Sequence, residues 1–130
     1  MTKTLFTGLG ALLLSQLLSV AEPPAERFED VRDRAHQMGE TDEGKAYEKR
    51  FSEIFAKPMQ AALQDCTKET KPPYVVSFVF IIGADGATKR ILPAPDQPVS
   101  ACIARKLSGI KLPAPPKPDW LVSVNIAIKE

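Results

Sequence analysis

Residues 74–92, YVVSFVFIIGADGATKRIL, decide the fold. The first nine are β-branched and aromatic and nearly apolar on both faces. That composition belongs to a strand in the middle of a sheet with both faces covered. Gly83-Ala84-Asp85-Gly86 follows, and Asp-Gly between apolar runs signals a hairpin. The return strand, Ala87 to Leu92, carries Thr88, Lys89 and Arg90 and has the polarity of an edge.

Downstream, Pro93-Ala94-Pro95-Asp96-Gln97-Pro98 ends the hairpin and opens a helix. Asp96 or Gln97 sits at its cap and Pro98 in its first turn. Val99, Cys102, Ile103 and Leu107 form one face, and Gly109 marks the exit. LPAPPKPDW (112–120) then places four prolines in a short window, so it is a rigid connector that no helix interior or central strand admits. Residues 121–128, LVSVNIAI, alternate cleanly. Val122, Val124, Ile126 and Ile128 lie on one side, and Leu121, Ser123, Asn125 and Ala127 on the other, as in a half-buried strand.

Upstream, Tyr47, Phe51, Ile54, Phe55, Met59, Ala62, Leu63 and Cys66 recur at helical spacing after Thr41, an acceptable N-cap. Pro58 interrupts that stripe and predicts a kink or restart near Lys57. A thinner stripe, Phe28, Val31, Ala35 and Met38, predicts a short helix between Pro24 and Gly39. The hairpin strands are antiparallel neighbours, and the last strand, after a crossover helix, pairs most simply with residues 74–82. The expectation is an α+β fold: a three-stranded antiparallel sheet ordered 2-1-3, with helices packed on one face and one disulfide.

The chain has 130 residues and opens with Lys3, an apolar stretch from Leu5 to Val20, and Ser19-Val20-Ala21 before Glu22. Small residues at −3 and −1 are the pattern of a signal peptide cleaved after Ala21. Residues 1–21 are therefore read as the signal, 22–46 as an N-terminal helical segment, and 47–130 as the α+β domain. The expected compartment is the periplasm, with no stable membrane insertion after cleavage. An oxidising compartment makes Cys66 and Cys102, the only cysteines, a disulfide. Basic and acidic residues number 17 and 16, a balance that argues against nucleic acid as the main partner.

The strand VVSFVFI, the ADG hairpin, the helix VSACIARKLSGI, the LPAPP connector and the strand VSVNIAI together resemble the C-terminal domain of the TonB/TolA family of periplasmic proteins. The resemblance covers roughly residues 47–130 and is similar to the cysteine-bearing members, with Cys66 and Cys102 in the matching places. It implies a non-enzymatic protein-binding module whose partners, other periplasmic or outer-membrane proteins, add a strand at the edge formed by the last strand. Carried across, that edge is Leu121, Val122, Ser123, Val124, Asn125, Ile126, Ala127 and Ile128. The energy-transducing members keep an uncleaved membrane helix and a long linker, and the reading here has neither.

No nucleophile–base arrangement and no phosphate-cradling loop is visible in the sequence. His36 is the only histidine and sits among charges, so neither a metal site nor a cofactor is expected. Glu40, Asp42 and Glu43 cluster near a helix start, where the helix dipole accounts for them. Tyr74 and Trp120 are read either as interface anchors or as packing. Two other readings stand beside the binding module: an immunity or inhibitor protein that neutralises a toxin or cell-wall hydrolase, and a small enzyme. The sequence leaves the oligomeric state and the partner's identity open.

Overall fold

Val76, Phe78, Phe80 and Ile82 alternate along one strand and are completely shielded from water, and the other elements are arranged around them. The computed structural model describes residues 27–68, 74–95 and 97–128; the signal-peptide reading of residues 1–21 lies outside these. The elements are α1 (Phe28–Glu40), α2 (Asp42–Cys66), β1 (Tyr74–Ile82), β2 (Thr88–Ala94), α3 (Pro98–Leu107) and β3 (Trp120–Ile128). The strands form one antiparallel sheet ordered β2-β1-β3. The fold is α+β, as the sequence predicts.

Helices α2 and α3 cover the β1 face just named. Phe51 stacks on Phe55 at 5.0 Å, and both meet Phe80 edge-on at 5.5 Å. Offset and edge-on rings suit the quadrupoles of the three aromatics. The Cys66–Cys102 disulfide ties the end of α2 to α3, and Lys106 pairs with Asp65 at 3.1 Å beside it.

Helices α2 and α3 share one face as expected, and a third helix covers the other. Helix α1 lies on the opposite face, where Val31 and Ala35 pack with Val79 of β1 and Leu121 of β3. The cause is β1 itself, whose second face is also apolar and needs a cover. The N-terminal segment is thus docked on the sheet through α1. Its cover is partial, because Val75 on the same face is 57% exposed.

Thr41 closes α1 and caps α2, its hydroxyl accepting from the Gly44 N–H at 3.0 Å. Helix α2 then continues through Pro58 as one element, so of the kink or restart expected near Lys57 the restart does not occur. Phe55, Met59 and Ala62 remain buried on both sides of the proline, and that packing holds the helix together. Ile54, counted in the stripe, is 44% exposed.

The hairpin turn is a three-residue loop. The Gly86 N–H donates to the Gly83 carbonyl, and the Gly83 N–H donates to the Ala87 carbonyl. Gly86 takes φ +88°, which few other residues adopt. A Cβ there would also overlap the Leu112 carbonyl. The proline connector is therefore more than a spacer. Its Leu112 N–H donates to the Gly86 carbonyl at 3.1 Å, and Lys111 forms a single bridge with Ala87.

The Cys66–Cys102 disulfide closes a loop between residues 36 apart in sequence. Replacing both cysteines with serine should cost roughly 3–4 kcal/mol of stability by loop-closure entropy. Thermal or denaturant unfolding of the double variant, against wild type with and without reductant, measures it.

Candidate functional site

A three-stranded sheet has two edges, and here they are built differently. The Gly83 N–H donates towards β2 at 2.8 Å, so the backbone of Gly83 faces β2. Successive strand residues alternate in direction, and β1 runs in unbroken register against β3 from Tyr74 to Ile82. Val76, Phe78, Phe80 and Ile82 therefore turn their N–H and C=O groups to β3. They meet Ile126, Val124, Val122 and Trp120. By the same alternation, Leu121, Ser123, Asn125 and Ala127 direct their backbone groups outward. Pro93 agrees with this phase: it lies opposite Phe78, where no N–H is needed towards β1.

The β2 edge is closed to another strand. Pro93 has no donor, and the register skips Lys89 between Ile81 and Ile82, which is a bulge. Lys89 and Arg90 add charge on the same strand, a further obstacle to edge pairing. β3 has neither proline nor bulge.

Burial falls steeply along β3. Trp120, Leu121 and Val122 are buried, Ser123 and Val124 are half-buried, and Asn125 and Ala127 are exposed. The covered end is the one that α1 and α2 reach: Tyr47 of α2 meets Trp120 edge-on, Val31 and Ala35 of α1 pack with Leu121, and Met38, near the end of α1, packs against the clusters on both faces. The free part of the edge therefore runs from Ser123 to Ile128. Beside it lies a groove of about 280 Å³, lined by Glu48, Phe51, Ser52 and Phe55 of α2 and residues Val122 to Asn125 of β3. Burial raises the Glu48 carboxyl above the ordinary carboxylate range, and the pull of His36 partly offsets this. Among the described residues Glu48 has no ion-pair partner.

The residues singled out from sequence divide accordingly. Cys66 and Cys102 are joined. Leu121 packs with Val31 and Ala35, and Val122 belongs to the main core, so both serve stability. Ser123, Val124, Asn125, Ile126, Ala127 and Ile128 lie on the open half. Of the two readings of Trp120, packing fits: it is 3% exposed and meets Tyr47 edge-on at 6.1 Å. The side chain of Tyr74 lies outside the described residues, and its backbone pairs opposite Ile128. His36 is exposed on α1. Among the described residues no three His, Cys, Asp or Glu side chains converge to hold a metal ion, and no helix is long and apolar enough to cross a membrane.

Sequence reasoning missed the α2 side of the groove. Phe51 and Phe55 were legible as core, but Glu48 and Ser52 each follow a stripe residue, Tyr47 and Phe51, on a polar face with no pattern of their own. It also missed Tyr47 as a polar anchor. Its hydroxyl donates to the Pro113 carbonyl at 2.8 Å, which pins the connector to α2. Burial pushes this phenol up to about 12, against a smaller opposite pull from Arg50, whose guanidinium lies 5.7 Å from the ring centroid.

Comparison with protein-family models, with curated proteins and with solved structures finds no match.

The folded state holds the Tyr47 phenol above its unassociated value of 10.0. The contribution of this group to stability is therefore fully present below about pH 10 and is lost as pH rises through about 12. Denaturant midpoints measured across this interval should fall more steeply for wild type than for Tyr47→Phe. At neutral pH the same variant should lose about 1 kcal/mol with the hydrogen bond.

Proposed function

We propose that this is an exported, non-enzymatic protein-binding module of the periplasm, similar to the C-terminal domain of TonB/TolA proteins, which binds an envelope protein by strand addition along β3. The observation that carries the reading is the asymmetry of the two sheet edges. Pro93 and the bulge at Lys89 close one, while the half of β3 from Ser123 onward offers regular, outward-facing donors and acceptors. An extended segment can use them to complete a fourth strand. Small exported domains often carry a disulfide, and the Cys66–Cys102 bridge supports export.

Proline substitutions test the edge. Asn125→Pro removes an outward donor and should leave the fold intact, because edge positions tolerate proline. Val124→Pro removes a donor aimed at β1 and should cost ~1–3 kcal/mol through the lost ladder bond. Envelope proteins retained by immobilised wild type should be lost from Asn125→Pro at unchanged thermal stability. Equal retention by a folded Asn125→Pro protein would reject the edge and favour the inhibitor reading, through a helical or loop surface.

Export is tested separately. Intact mass of the protein recovered from the periplasm should correspond to a chain that starts at Glu22. Full-length protein in the membrane fraction would replace the cleaved signal with an anchor.

A further inference from the structure

The α1–α2 junction and the groove limit what kind of strand can add to β3; this inference rests on the strand-addition reading. Cover over Trp120 to Val122 means that an incoming strand meets an obstacle there and pairs from Ser123 onward. Its window is about five residues, Ser123 to Ala127, with backbone groups available at Ser123, Asn125 and Ala127. Alternate side chains of such a strand project to opposite faces of the sheet. Those on the α2 side enter the groove, whose floor holds Phe51, Phe55, Val122 and Val124.

Glu48 lies at the junction end of that groove, its carboxylate against the backbone of Gly39. It is half-buried and lacks an ion-pair partner among the described residues. A carboxylate taken partly out of water gains most from a cation brought to it in the same low-dielectric surroundings. An acidic side chain at that position would be repelled, and an apolar one would leave Glu48 desolvated with only the partial pull of His36 to offset it.

We propose that the partner of β3 is an extended segment that sets an apolar side chain against Phe51 and Phe55 and, two residues away on the same face, a lysine or arginine against Glu48. The main-chain bonds hold the strand, the phenylalanines accept its apolar residue, and Glu48 fixes the basic one at the closed end.

Blocked five-residue peptides X-Thr-Val-Thr-X, with X as lysine, glutamine or glutamate, probe this in either strand direction. Titration into the full mature protein, followed by backbone amide shifts, should move Ser123, Asn125 and Ala127. The lysine peptide should bind roughly two- to fivefold more tightly than the glutamine peptide, as for a partly exposed ion pair. The glutamate peptide should bind most weakly. Glu48→Gln, which keeps the side-chain shape, should remove the ranking and leave the Ser123–Ala127 shifts in place. Added salt should narrow the ranking in wild type. Equal affinities of lysine and glutamate peptides for wild type, with the shifts present, would overturn the assignment to Glu48 alone. No shift at these three amides with any peptide would overturn strand addition itself.

Discussion

Strand β1 has apolar side chains on both faces, and this one constraint sets the rest of the architecture. A strand with one polar face needs a single cover; β1 needs two. Val76, Phe78, Phe80 and Ile82 are shielded by α2 and α3, and Val79 by α1. The 13 residues of α1 cross the second face without filling it, so Val75 stays exposed. The chain reaches this arrangement by folding α1 and α2 around the end of β3 where Trp120 begins. Cover is complete at that end and open at the other.

The proline connector solves a different problem. The hairpin turns through Gly86 at φ +88°, and its tip is also held from outside by Leu112. Leu112 is buried in the main core, and the adjacent Pro113 carbonyl accepts from Tyr47 on α2. Lys89 and Asp119 add an exposed ion pair at 2.6 Å between β2 and the end of the connector. One stiff segment thus joins the hairpin tip, α2 and the start of β3. Proline suits that duty because little chain entropy remains to be lost on docking.

Much of this was legible because periodicity reports burial. The change from helical to alternating spacing at residues 74–82, and the clean alternation of 121–128, fixed the sheet order and the helix-facing side chains. The position of α1 was not legible, although the two-faced composition of β1 demanded a second cover. Four apolar residues at helical spacing say that a helix docks, not on which surface. At Pro58 the helix continues rather than restarting: local geometry counts the lost bond and the clash but not the buried residues on either side. The groove was illegible for a simpler reason. Glu48 and Ser52 acquire meaning only from their distance to β3, a tertiary relation that a solvated helix face does not encode.

The difference between the edges follows from the same packing. β2 is joined to β1 by a tight hairpin and needs its inward bonds, so its proline and bulge fall where they interfere only with an outside strand. Their cost to the fold is small, and they protect against adventitious pairing. β3 cannot use the same devices over its whole length. Its first residues supply Trp120, Leu121 and Val122 to two separate cores, and regular register there places each on its proper face. Regularity continues to Ile128, beyond the reach of the α1–α2 junction. An edge kept regular but left uncovered can pair with any extended chain, so discrimination must come from the side chains beside it. On the α2 side those are two phenylalanines and one carboxylate without an ion-pair partner among the described residues. On the strand-addition proposal, backbone pairing would supply the adhesion and the α2 surface the selection.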